Sequence, residues 1–356
     1  MLRPGDVACP ALARTFTTEL SRVGSPLPTS VITGRFIVIY HRRFPPAGLA
    51  ALWAAHEVRR MLADADPLPA DHRILEAFTL DNLDADSIAQ YRQRFSAIKP
   101  GHPWLALETR LLMEKLDGWG TDRATGKSGL SLAGLLMFGK VQSICAPEAA
   151  LNYFVDYQEK LEEGVRWTDR LYPDGTWEAN LFQFFQRVWP RLTRDLKVPF
   201  QLEGGVRKDE TPAHEAVREA LVNAVIHADY SAPGGIVIQR YSDHFVLANP
   251  GRLLVAVEQL RRGGVSECRN KALQKMFQMM GGGERAGSGF DKIQTGWRSQ
   301  HWRAPHLHTQ VEPDRVILDM PMVKETGSNY QHKEDALPTQ EGDSQHKGGG
   351  DSRVLN

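Results

Sequence analysis

Cysteine is scarce in this 356-residue chain: Cys9, Cys145 and Cys268 are odd in number and far apart. That excludes a disulfide framework and a cysteine-held zinc, and it suits a reducing cytoplasm. Net charge is missing as well. Lys+Arg and Asp+Glu each number 43, so no overall basic footprint announces a polyanion partner. Long apolar runs are absent: the best, RFIVIY at 35–40, is strand-length, against the ~18 residues of a membrane helix. The opening MLRPGDVACPALARTF has no apolar core of signal-peptide length. No internal repeat and no P-loop is visible. TGKSGLS at 125–131 tempts such a reading, but Gly120 and Gly126 bracket five residues rather than four, and no apolar strand precedes it. It reads instead as a loop capping a helix that starts at 131. The expectation is a cytoplasmic protein with no membrane span.

What is present is ordinary globular material, with 42% hydrophobic and 24% charged residues. The length allows two domains at ~150 residues each. Residues 1–30 are rich in Pro, Gly, Ser and Thr and show no period. A strand at 35–40 leads to a helix at 49–64, and PLPADHR (67–73) reads as a loop. Helices follow at 84–95, 105–116 and 131–140, the last buried by its apolar content. A strand is expected at 151–158, then a helix at 176–196 in which Pro190 predicts a kink or a break. Thr211 and Pro212 supply an N-cap and a first-turn proline for the next helix. Two strands (234–242 and 243–250), a helix (270–280), a glycine-rich stretch, a helix from 291 and a last strand (315–320) complete the pattern. Beyond 324 almost nothing is apolar, which predicts a disordered tail.

One helix carries chemistry. In REALVNAVIHADYS (218–231), Glu219, Asn223 and His227 follow one another at intervals of four. With Glu219 at 0° on a helical wheel, Asn223 falls at about 40° and His227 at about 80°, one continuous stripe. Val217, Leu221, Ala224, Val225 and Ala228 take the opposite side. A solvated polar face would give the same stripe. Val222 and Ile226, however, flank Glu219, and Asn is a poor helix-interior residue. A polar row edged by aliphatics reads as the wall of a partly covered pocket. A carboxylate and an amide one turn apart could there orient a water and ligate Mg²⁺. Elements suited to phosphate follow downstream. ANPG (248–251) is a turn where backbone can approach a ligand, and GGGERAGSGF (281–290) holds five glycines in ten residues before a helix.

A helix with Glu-x-x-x-Asn, a strand ending Asn-Pro-Gly and a glycine-rich segment before a helix resemble the GHKL ATP-binding fold of gyrase, MutL and histidine kinases. More closely, HEAVREALVNAVIHADYS, ANPGRL, GGVSECRNKAL and GERAGSGFDKI resemble the RecG-like C-terminal module of Schlafen/AlbA-type transcriptional regulators. Four blocks in order over about 211–300 carry the likeness. A weaker one extends upstream through GLSLAGLLMFGK and WTDRLYPDGTWEANLFQFF.

The resemblance implies an α+β chain. Its C-terminal part would be a GHKL-type α/β two-layer sandwich, with helices on one face of a mixed sheet. Residues 1–65 would be a truncated AlbA-like segment, on the likeness of YHRRFPPAGLAALWAAHEVRRML (40–62). Residues 66–200 would be a mostly helical connection, 201–323 the ATP-binding domain and 324–356 the tail. ATP and Mg²⁺ are the implied cofactors. Asn223 matches the Mg²⁺-binding asparagine and Glu219 the carboxylate that polarises the attacking water. Asn249 stands where the fold has an adenine-reading aspartate, with Gly251 the glycine after it. Gly287 and Gly289 match lid glycines. Arg269 reads from its position either as a phosphate contact or as an exposed arginine beside an Asn cap. Asn at 249 keeps an acceptor for the adenine amine, but its NH₂ requires a partner of its own. His227 reads as structural. Two functions stand open. One is an ATP-binding transcriptional regulator with slow hydrolysis and a DNA partner. The other is a non-catalytic DNA- or protein-binding regulator with a degenerate nucleotide site. No helicase core or nuclease carboxylate cluster is visible, although Arg42, Arg43, Arg59 and Arg60 could touch nucleic acid.

Overall fold

The computed structural model describes residues 30–33, 36–39, 69–123, 125–196, 202–203, 206–207, 210–262, 267–283 and 289–324. The helix expected at 49–64, the four N-terminal arginines, Gly287 and the tail lie outside these residues. Among the described residues no helix is long and apolar enough to cross a membrane.

At the start, β1 (Ser30–Thr33) and β2 (Phe36–Ile39) pair antiparallel, with β2 covering the strand expected at 35–40. From 69 the chain is mostly helical, with one small sheet. Strands β3 (Ile74–Leu75), β4 (Trp119–Thr121) and β5 (Ser128–Ser131) form it in the order β3-β5-β4. Helix α1 (Ala85–Ile98) starts where Asp84 accepts from the Ser87 amide at 3.0 Å, a side-chain N-cap. The helix expected at 105–116 is divided into a 3₁₀ turn, Pro103–Ala106, and α2 (Thr109–Lys115). The segment expected to be a loop before 131 ends as strand β5. Ser131 then caps α3 (Leu132–Phe138) by accepting from the Gly134 amide at 3.1 Å, and all seven residues of α3 are buried. A short α4 (Val141–Ile144) follows.

Helix α5 (Leu181–Thr193) passes through Pro190 unbroken. A mid-helix proline costs about 3 kcal/mol. Burial of Phe182, Phe184, Phe185, Val188 and Leu192 along the same helix outweighs that loss.

The main sheet has six strands in the order β12-β13-β11-β10-β6-β7. They are β6 (Val155–Lys160), β7 (Asp169–Leu171), β10 (Ile236–Tyr241), β11 (His244–Pro250), β12 (His306–Gln310) and β13 (Arg315–Pro321). Only β10 and β6 run parallel; the other pairs are antiparallel. Strands β8 (Leu202–Glu203) and β9 (Val206–Arg207) make a separate hairpin. Two of the six sheet strands therefore precede residue 201.

Alternation is clear along β10 and β13. Ile236, Ile238 and Arg240, and Val316, Leu318 and Met320, are buried on one face, and the residues between them are half-buried. Helices α6 (Pro212–Ile226), α7 (Val257–Arg262), α8 (Lys271–Met279) and α9 (Gly289–Arg298) follow in the chain, and α6 packs between β11, α5, α8 and α9. This is a mixed α/β chain with a C-terminal sheet-plus-helix unit. One hydrophobic cluster runs from Leu75 to Met320, so the helical region and the sheet share a core. Contacts between them are specific. Tyr91 donates to the Met276 carbonyl at 2.9 Å, and buried Asp71 accepts from the Leu273 amide, also at 2.9 Å, in the first turn of α8.

Candidate functional site

Helix α6 begins as its sequence expects, with Thr211 before Pro212 at the first turn. His214 Nδ1 accepts from the Thr211 amide at 3.3 Å and lies 2.8 Å from its hydroxyl. The accepting ring nitrogen fits a neutral imidazole, and burial pushes the His214 pKa down. The helix is enclosed on nearly every side, and Val222 and Ile226, the aliphatics beside the polar row, are both buried. The row is therefore no solvated face. Glu219 is only 6% exposed, and Asn223 and His227 are half-buried.

Glu219, Asn223 and His227 line one cavity of about 120 Å³, together with Asn249 at the end of β11 and Gly289 at the start of α9. Its remaining wall is largely apolar, from Leu253, Leu254, Val255, Phe290, Ile293, Leu307, Val316 and Leu318. Such a wall suits a flat aromatic ring at one end, with polar groups at the other. Asn249 is buried, and its NH₂ donates to the Pro250 carbonyl at 3.3 Å. One of the two N–H donors that separate Asn from Asp is thus used within the strand, and this orientation leaves the side-chain oxygen as the acceptor.

The first residue of α9 is pressed onto the polar row. A Cβ on Gly289 would stand 2.6 Å from Glu219 Oε1 and 3.1 Å from Asn223 Nδ2. Seven residues on, a Cβ on Gly296 would stand 2.2 Å from the Pro212 carbonyl oxygen. Two glycines thus let α9 lie directly along α6. His227 closes α6 at its C-cap, and burial, helped by the positive charge of Arg269, pushes its imidazole down to about 4. It is neutral at physiological pH.

Two of the expected residues sit apart from this cavity. Gly251 is not in its lining; it takes φ +104° and donates to the Asp314 carbonyl at 3.0 Å, and a Cβ there would meet Asp229 Cβ at 2.9 Å. Its glycine character is accounted for by the turn. Arg269 donates to the Arg252 carbonyl at 3.2 Å and lines a second, larger cavity of about 920 Å³ with His72, Arg73, Trp119 and Asn270. Arg252, Gln274 and Glu267 line the first cavity without having been singled out in the sequence. Only their positions after ANPG and beside the α8 start mark them, and neither is a strong signal.

Two protein families match parts of the chain. One is described as "Putative ATP-dependent DNA helicase recG C-terminal" and covers residues 234–318. The C-terminal unit has an ATPase-like fold. The other, DUF8451, a domain of unknown function, covers residues 59–156. No curated protein matches the chain. Among solved structures, the DIP2311 protein from Corynebacterium diphtheriae is similar at a TM-score of 0.54 and 18% identity. That match covers 83% of this chain and 45% of the other, so the chain spans under half the length of that protein. At this identity the likeness concerns the fold. It covers much of the helical region as well as the C-terminal unit.

Proposed function

We propose that the chain is an ATP-binding regulator that holds Mg-ATP between α6 and the start of α9. The convergence of Glu219, Asn223, Asn249 and Gly289 on one cavity carries this reading, because these residues come from three elements far apart in the sequence. The ATPase-like fold and the RecG C-terminal family match support the nucleotide class.

Adenine fits the apolar end, where the Asn249 oxygen can accept from its amine. The phosphates extend toward the start of α9, whose first-turn amides favour anions. A carboxylate and, through its side-chain oxygen, an amide one helical turn away make a donor set that fits magnesium. Asn223, with Glu219 close by, would hold the ion, which when bound would neutralise phosphate charge. Glu219 would accept a hydrogen bond from the attacking water and so support slow hydrolysis.

The cavity, at about 120 Å³, is smaller than the ~300–1,000 Å³ of ordinary small-molecule sites. On this reading the cavity widens as the nucleotide enters. Regulation of transcription, with DNA as a partner, is the role the family resemblance favours.

A second reading is a regulator that binds DNA or protein and whose nucleotide site has decayed. Asn249 in place of the acid favours it, and so does the small cavity. Phosphate release measured for the wild type and for Glu219→Gln separates the two. Release above background that falls at least tenfold in the variant supports hydrolysis; none in either protein leaves binding alone.

A further inference from the structure

The β12–β13 hairpin has two faces. Leu307, Val316 and Leu318 point inward and line the cavity described above. His306 and His308 alternate with Leu307, so they lie on the outer face, and so does Asp319 beside Leu318. His306 is paired directly across the strands with Asp319. His308 Nδ1 lies 3.2 Å from Asp319 Oδ2, and the two imidazoles stack with centroids 5.3 Å apart. One donor atom from each of the three residues falls within 4.8 Å of the other two. That His308 nitrogen is shielded from solvent yet makes no aligned hydrogen bond.

We propose that His306, His308 and Asp319 bind a divalent transition cation of the zinc, nickel or copper class. A tetrahedral zinc with bonds of about 2.0–2.1 Å holds its ligands about 3.3 Å apart. The His308–Asp319 pair already has that spacing, and rotation of the exposed His306 ring brings in the third ligand. Two imidazole nitrogens and one carboxylate oxygen select against magnesium and calcium, which take oxygen ligands. Three protein ligands on an open face leave a position for water. The site is separate from the Asn223 site, which lies across the sheet. A bound ion would clamp edge strand β12 to β13, which form one wall of the nucleotide cavity.

The test uses the full chain stripped of metal with a chelator and titrated with Zn²⁺ by calorimetry, then with Co²⁺ by visible absorption. The expected result is one Zn²⁺ per chain, a visible band with Co²⁺, and at least tenfold weaker binding in His306→Ala, His308→Ala and Asp319→Asn. All three positions are on the outer face, and circular dichroism identifies any variant that misfolds; Asp319→Asn, the most conservative, then decides. The double variant His332→Ala/His346→Ala removes two histidines of the C-terminal segment and should bind as the wild type does. Absence of Zn²⁺ binding, unchanged affinity in the three variants, or loss of binding in the double variant overturns the proposal.

Discussion

A Cβ built on Gly289 lies 2.6 Å from Glu219 Oε1, so the start of α9 and the carboxylate on α6 compete for one space. The clash is with the far end of a flexible side chain, which can turn aside. Gly289→Ala should therefore move Glu219 and crowd Asn223 while leaving the fold intact. The expected outcome is at least tenfold weaker Mg-ATP binding with a thermal midpoint within about 2 °C of wild type. Calorimetry and a melting curve on the same sample check both halves.

Gly296→Ala should do the reverse. The added methyl would meet the Pro212 carbonyl oxygen at 2.2 Å and Ala216 Cβ at 2.8 Å, and backbone cannot rotate away. Helix α9 must then lift from α6 along its length, an overpacking cost of about 1–3 kcal/mol. Urea unfolding should show a lower midpoint at an unchanged slope.

Acid and base behaviour separates two buried groups. His227 has a pKa of about 4 against an ordinary 6.5, so between those values the unfolded chain holds a proton that the folded one lacks. Its contribution to stability is intact above pH 6.5 and is lost as pH falls toward 4. Asp71 is buried and raised from 3.8 to about 6, mainly by desolvation. There the folded chain holds the extra proton, so stability is lost as pH rises from about 3.8 to 6. The two slopes oppose each other. Relative to wild type, His227→Gln should be increasingly favoured as pH falls from 6.5 to 4. Asp71→Asn, which keeps an oxygen for the Leu273 amide, should be increasingly favoured as pH rises from 4 to 6. Each difference should reach on the order of 1–3 kcal/mol. Unfolding midpoints at half-unit pH steps test this; pH profiles parallel to wild type would contradict it.

A buried ion pair ties β6 to β10. Arg240 Nη1 lies 3.0 Å from Glu159 Oε2, both residues are under 5% exposed, and Arg194 and Tyr157 also hold the carboxylate. Removing Arg240 leaves the Glu159 carboxylate to Arg194 and Tyr157, and removing Glu159 leaves Arg240 to Asp195, so neither charge is left wholly unpaired. Arg240→Met or Glu159→Met should each cost about 1–3 kcal/mol, and the double variant clearly less than their sum. A double-mutant cycle by denaturant unfolding measures the coupling.

The helix at 211–230 was legible because its polar row was edged by Val222 and Ile226, and that local pattern demands a covered wall. Strands β10, β11 and β13 were legible from alternation. What escaped was short or non-local. Strands β3, β4 and β7 have two or three residues each, too few for a period to show. HLHTQ, which is β12, pairs at an edge with one open face, so four polar residues surround its one apolar residue, Leu307. Nothing local announces that β6 lies beside β10, or that Asp71 caps a helix 202 residues away. Of the expected site residues, Glu219, Asn223, Asn249 and Gly289 meet at one cavity. Gly251 and Arg269 do not line it, because a glycine in a turn and an arginine near a helix start are common for structural reasons alone.

Calorimetric titration of the full chain with Mg-ATP, beside Asn223→Ala, decides whether the α6 cavity is a nucleotide site. The expected result is saturable binding of one nucleotide per chain, weakened at least tenfold in the variant and in wild type with magnesium chelated. No heat of binding in wild type, or equal affinity in wild type and Asn223→Ala, would contradict it.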